Sequence, residues 1–145
     1  MPDGQYLLDL NVLIAFADEE HVHHKRVMRW FKAGGSRNWG ICPLTEAGLV
    51  RLAANPKVGA FSVEQAIEML MELAKVPGYR YWPITGKWVD MVVPFASRIF
   101  GHQQVTDSYL LGLAIKENGV LVTFDKAIQF LAGPQYAANV LVLEP

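Results

Sequence analysis

Cysteine is nearly absent from this sequence. Cys42 is the single thiol in 145 residues, which excludes an internal disulfide and any zinc centre built from several thiolates. Long apolar runs are missing too: none approaches the roughly 18 residues that span a bilayer. No basic-then-apolar signal pattern opens the chain, so a cytoplasmic protein is expected. Neither sign of charge is in excess, with 13 Lys and Arg against 14 Asp and Glu and a net charge of −1. Contact with a nucleic acid would therefore need a local basic patch or a metal ion. No glycine-rich loop follows an apolar strand, which argues against P-loop or nucleotide-cofactor chemistry. Ser36 and Ser108 lack the G-x-S-x-G setting of a serine hydrolase. Repeats, low-complexity tracts and long linkers are also missing.

What the chain does have is apolar content. Hydrophobic residues make up 52% and the mean hydropathy is +0.18, so part of the surface is expected to be covered by a second copy or another protein. The length suits one domain, residues 1–145, large enough to bury about two-thirds of its unfolded surface.

Apolar strands alternate with helical patterns. Tyr6–Asp9 reads as a first strand that opens into a helix over Asn11–Ala17. Asp18-Glu19-Glu20 then supplies negative charge ahead of a helix from His21 to Ala33, where the helix dipole favours it. Val27, Trp30 and Phe31 would face inward. Gly34-Gly35-Ser36 breaks this helix. Asn38–Cys42 is the second strand, and Pro43 suits the first position of a helix to Ala54. Ser62-Val63-Glu64-Gln65 forms a capping box for a helix through Ile67, Leu70, Met71 and Ala74. Tyr79–Pro83 reads as a third strand. A helix over Val89–Phe100 would be kinked by Pro94. Thr106 would cap a helix from Asp107 to Asn118, stopped by Gly119. Val120–Phe124 is a buried strand, Asp125–Leu131 a short helix, and Val140–Leu143 a last strand. The alternation predicts an α/β fold, a mostly parallel sheet flanked by helices.

Four acids share one local context, a strand end or the first helical turn after it: Asp9, Glu46, Asp107 and Asp125. Each alone suits a helix cap. Together they differ from caps in lacking cations: no Lys or Arg lies within three residues of Asp9, Glu46 or Asp107. In a parallel sheet, strand ends that lead into helices share one edge, where open α/β sheets bind ligands. Two unit charges ~4 Å apart repel by about 4 kcal/mol at an effective dielectric of 20. Gathered carboxylates therefore need protons or a cation, and all-oxygen ligation selects Mg²⁺ or Mn²⁺. The chemistry such a site suits is metal-assisted phosphodiester hydrolysis. Asn11 and Thr123 would hold the carboxylates or a water in place.

In order and spacing, Leu8-Asp9-Leu10-Asn11-Val12-Leu13, Thr45-Glu46, Val105-Thr106-Asp107-Ser108-Tyr109-Leu110 and Thr123-Phe124-Asp125 resemble the four acidic motifs of PIN-domain nucleases. The match is nearest to VapC-type toxins of bacterial toxin–antitoxin pairs. Asp18-Glu19-Glu20-His21-Val22-His23-His24 and Tyr81-Trp82-Pro83 resemble segments of the same group. The resemblance implies a PIN-like three-layer α/β/α fold and a Mg²⁺-dependent endoribonuclease, with Mn²⁺ as a substitute. It also implies a homodimer, and inhibition by a cognate antitoxin in a larger hetero-oligomer. Asp9 and Asp107 carry over as principal metal ligands, Glu46 and Asp125 as the third and fourth acidic positions. Asn11 and Thr123 carry over as supporting polar groups.

Other residues have plainer readings beside functional ones. Lys25, Arg29 and Lys32 lie at helical spacing, as a solvated face or a track for RNA phosphates. Arg51, five residues beyond Glu46, would reach a substrate phosphate or neutralise the cluster. Arg98 and His102 precede Asp107 and are candidates for RNA or antitoxin contact. His21, His23 and His24 suit helix-start polar and packing roles better than a metal site. Trp30, Trp39, Trp82 and Trp88 read as core or interface residues. Two alternatives to a nuclease remain at this stage. One is a receiver-like phospho-signalling domain, which would need a Lys near the last strand that Val140-Leu141-Val142-Leu143-Glu144-Pro145 does not supply. The other is a catalytically silent PIN-like interaction module.

Overall fold

Strand β1 (Tyr6–Leu8) is buried along its whole length, as a central strand of a parallel sheet must be. In the computed structural model, which describes residues 4–59 and 61–144, four strands form one sheet. Pro145, which closes the last segment, lies outside the described residues. The other strands are β2 (Trp39–Gly40), β3 (Val120–Thr123) and β4 (Val140–Val142), in the order β2-β1-β3-β4. Every pairing is parallel, with Tyr6 opposite Trp39 and Val120, and Leu121 opposite Val140. The helices are α1 (Leu10–Ala17), α2 (His24–Ala33), α3 (Pro43–Ala53), α4 (Val63–Leu73), α5 (Trp88–Val92), α6 (Val105–Lys116) and α7 (Lys126–Ala132).

Alternation along the strands divides the core in two. Leu7 and Leu121 point to one face, against Met91 and Val92 of α5, Leu110, Leu111 and Ala114 of α6, and Ile128 and Leu131 of α7. Tyr6, Leu8 and Val122 point to the other, against Val12 and Leu13 of α1, Val27 of α2, Leu49 of α3 and Leu73 of α4. Helices thus cover both faces, giving the expected three layers. The capping box forms as read: Ser62 N–H donates to Gln65 Oε1 at 2.8 Å, and Gln65 N–H donates to Ser62 Oγ at 3.1 Å.

Several local expectations need correction. Tyr79–Pro83 is not a regular strand. It makes one bridge, Tyr79 to Trp39, although Arg80 N–H and Trp82 N–H still donate to the carbonyls of Trp39 and Ile41 at 2.7 and 3.0 Å. Pro83 has no N–H with which to continue. Helix α2 starts at His24 rather than His21, because side chains hold the preceding residues in turns. Asp18 Oδ1 accepts from Glu20 N–H at 3.0 Å and His21 Nδ1 from His23 N–H at 3.1 Å. The acidic triplet therefore stays out of the first turn of α2, and Asp18 instead closes α1, its N–H donating to the Ile14 carbonyl at 3.0 Å. Pro94 does end its helix: α5 stops at Val92, and a 3₁₀ stretch, Val93–Arg98, follows with Phe95 outside helical geometry. Thr106 lies inside α6, which begins at Val105 out of a 3₁₀ turn over His102–Gln104. At the end of α6 it is Asn118, with φ 55°, that takes the left-handed conformation. Gly119 is required for closeness instead: a Cβ there would meet the Trp82 ring at 2.6 Å and the Gln5 carbonyl oxygen at 2.8 Å.

Candidate active site

Asp9 is the residue at which β1 ends and α1 begins. It takes the N-cap position, and its N–H donates to the Val122 carbonyl at 2.9 Å. Its side chain is 5% exposed, so it needs partners. Leu10 N–H donates to Oδ1 at 2.8 Å and the Thr123 hydroxyl donates to Oδ2 at 2.7 Å. Thr123, fully buried at the end of β3, also accepts the Asp125 N–H at 3.0 Å. One hydroxyl thus ties the first strand's acid to the backbone that carries the last. Asp125 caps α7 through Ala127 N–H at 2.9 Å. Asn11 Oδ1 accepts Phe124 N–H at 3.4 Å, a long contact that helps join the same two strand ends.

Asp107 occupies the first turn of α6. It is half-buried, and its pKa is pushed from 3.8 to about 7, first by loss of water and then by repulsion from Asp9 and Asp125. Burial likewise raises Asp9, against the pull of its hydrogen bonds to Thr123 and Leu10, with Asp125 adding a smaller push. Three aspartates from β1, α6 and the β3–α7 junction therefore feel one another. The ion pairs described are Lys75–Glu72 and Lys126–Glu144, and neither reaches them.

Glu46 is the fourth acid. It lies in the first turn of α3, half-buried, and its pKa rises through burial alone. Its charge is felt by Tyr79, Tyr81 and Cys42. Of the basic side chains proposed from sequence, Lys25, Arg29, Lys32 and Arg51 are exposed. Arg98 has another role, donating to the carbonyls of Leu131 and Ala132 at 2.8 and 3.0 Å at the end of α7. There it complements the helix's negative end. His24 bonds to the Ala15 carbonyl at 2.7 Å and His23 packs on Phe124, so the histidines join elements as read. His102 does reach the site: with Phe100, Gln103, Asp107 and Asp125 it lines a cleft of about 580 Å³. Phe100 and Gln103 went unnoticed in the sequence. Their signal was an aromatic, a glycine and three polar side chains directly ahead of Val105-Thr106-Asp107.

The donor set suits a hard divalent ion, since its donors are carboxylate oxygens that are partly dehydrated and repel one another. Among the described residues, no three His, Cys, Asp or Glu side chains stand close enough to enclose an ion by themselves.

Comparison with known proteins agrees with this fold. The PIN domain family model matches residues 6–133, and the chain belongs to that family. It is 44% identical over 128 residues to ribonuclease VapC38 of Mycobacterium tuberculosis, covering 87% of this chain and 89% of that protein. Ribonuclease VapC44 of the same species is 38% identical over 129 residues, 88% of this chain and 91% of that one. Among solved structures, VapBC2 from Rickettsia felis, bound to a DNA fragment from its promoter, superposes with a TM-score of 0.66. The identity is 16%, over 96% of this chain and 98% of that chain, so this likeness concerns the fold.

Proposed function

We propose that the protein is a VapC-type endoribonuclease, the toxin of a toxin–antitoxin pair, which hydrolyses RNA phosphodiester bonds with the help of Mg²⁺ or Mn²⁺. The observation that carries this reading is the convergence of the acids at one sheet edge, where the Thr123 hydroxyl joins Asp9 to the Asp125 backbone and Asp107 and Asp125 line one cleft. Relatives named ribonuclease VapC, at 38–44% identity, support the substrate class.

Asp9 and Asp107 would hold the ion, and Glu46 and Asp125 would complete the outer ligation or hold the water. When bound, the ion supplies positive charge beside the scissile phosphate and makes water more acidic. The chain's own residues prepare that site. Leu10 N–H and the Thr123 hydroxyl fix Asp9 in one orientation. Asp107, with a pKa near 7, passes between protonated and charged forms close to neutral pH. An in-line attack by water leaves a 5′-phosphate and a 3′-hydroxyl. No helix among the described residues is long and apolar enough to cross a membrane.

A protein partner and self-association belong to the same proposal. Between α1 and α4 lies a groove of about 590 Å³ whose apolar floor of Phe61, Met69, Leu73 and Val76 is flanked by Glu68 and Glu72, suited to an apolar segment of an antitoxin that also carries basic residues. Around α5, Trp88, Val89 and Val93 are exposed, which supports pairing of two copies. Sedimentation equilibrium tests the pairing.

The decisive experiment incubates RNA with the pure protein and Mg²⁺ or Mn²⁺. Cleavage should need the ion and fall at least 100-fold in Asp9→Asn and Asp107→Asn, two substitutions of the kind that remove a positioned charge. Circular dichroism should show both variants folded. Retained cleavage in both, or 2′,3′-cyclic phosphate ends, would overturn the reading.

A further inference from the structure

The cleft that holds Asp107 and Asp125 is also lined by Phe100, a ring that hydrolysis itself does not require. Phe100 is 77% exposed, and its ring lies 6.3 Å from that of Phe130, itself 67% exposed. Such a pair, open to water, is unusual unless it meets something. Its loop is held by hydrogen bonds. Phe100 N–H donates to Gln104 Oε1 at 2.7 Å, Gln104 N–H donates to the Gly101 carbonyl at 3.1 Å, and Ser108 Oγ donates to the Gln104 carbonyl at 2.5 Å. The loop is therefore closed on itself and anchored to α6, and the ring is left free. Beside it, His102 and Gln103 are exposed and line the same cleft. They offer an imidazole and an amide, both able to donate and accept hydrogen bonds.

We propose that Phe100, backed by Phe130, is a stacking platform for an unpaired base of the substrate RNA, with His102 and Gln103 touching the edge of that base. This rests on the ribonuclease reading and adds to it a requirement for single-stranded RNA at the cut. Proteins recognise RNA sequence mainly on unpaired bases that are splayed out and stacked on aromatic rings, and stacking accepts any base because every base has a π-face. The cleft, at about 580 Å³, has the size of a nucleotide site. A peptide anchor would need an enclosing pocket, whereas a ring 77% exposed offers a face. The ring lies in the same cleft as the acids, so a stacked base would bring its own phosphate toward Asp107 and Asp125.

The test uses the full chain and two fluorescein-labelled probes, a random-sequence single-stranded 12-nucleotide RNA and an RNA duplex of equal length. Fluorescence anisotropy in Ca²⁺ measures binding, and steady-state kinetics in Mg²⁺ separate KM from kcat. Phe100→Ala should weaken single-strand binding about tenfold, raise KM similarly, leave kcat within about twofold, and leave duplex binding unchanged. Phe100→Trp should restore binding, and Phe100→Leu, apolar without a π-face, should not. Equal binding by wild type and Phe100→Ala, or full rescue by leucine, overturns this proposal while leaving the nuclease reading intact. The same holds if Phe100→Ala changes only the sedimentation behaviour or only antitoxin capture. A wild-type protein that neither binds nor cuts RNA overturns both.

Discussion

Thr123 is the side chain on which the site's geometry turns. Its hydroxyl donates to Asp9 and accepts from the Asp125 backbone, at 2.7 and 3.0 Å. Thr123→Val keeps the volume and removes both bonds, leaving a buried N–H and a buried carboxylate oxygen short of a partner. The expected loss is about 1–3 kcal/mol of stability, read by urea denaturation, with cleavage reduced as well. Thr123→Ser should retain most of both. Asp107 sets the pH response. Between about pH 4 and pH 7 the folded chain keeps a proton there that the unfolded chain has lost. Stability of the metal-free protein is therefore greatest at the acid end of that window and falls as pH rises through it. Asp9, also raised by burial, contributes in the same direction. Calorimetry should show Tm falling by about 5 °C or more from pH 5 to pH 7.5, and Asp107→Asn should flatten the slope.

Among the elements, the contact of α5 with α6 decides where Asp107 is held. Gly112 on α6 allows it, since a Cβ there would stand 2.3 Å from the Met91 carbonyl oxygen. Gly112→Ala gains helix propensity of up to about 1 kcal/mol. The clash is with backbone, however, and separating two packed helices costs about 1–3 kcal/mol. The second effect should win. A net loss of stability is expected, with a fall in cleavage because Asp107 moves with its helix. A more stable variant of unchanged activity would show that α5 yields freely. Helix α6 also shows how the chain replaces a polar cap by geometry: it is entered from a 3₁₀ turn with no side-chain cap bond, and that turn carries the cleft's rim.

For the molecule as a whole, charge is balanced, yet its distribution is not. Three aspartates meet at one sheet edge while Lys25, Arg29, Lys32 and Arg51 remain exposed elsewhere. An ion that relieves the repulsion should stabilise the folded state by mass action. Because the carboxylates must be deprotonated to bind it, the Tm gain in 10 mM Mg²⁺ should be larger at pH 7.5 than at pH 5, by about 3 °C or more. An equal gain at both values would mean the ion binds somewhere other than this cluster.

The alternation of apolar strands with helices was enough to give a parallel three-layer fold, because burial on both faces leaves continuous apolar strands and little else does. The position of Asp9, Asp107 and Asp125 at strand ends and first helical turns was legible for the same reason. Element limits were less so. His24 rather than His21 opens α2, and Asn118 rather than Gly119 turns left-handed, since both depend on local bonds that composition does not display. Glu46 shared its sequence context with the aspartates, and its charge is also felt by Tyr79 and Tyr81, neighbours that the sequence did not display. The rim made by Phe100 and Phe130 joins residues thirty positions apart. Periodicity reports which face of an element is buried, whereas the meeting of side chains from different elements is fixed by how those elements pack, and only the tertiary structure decides that.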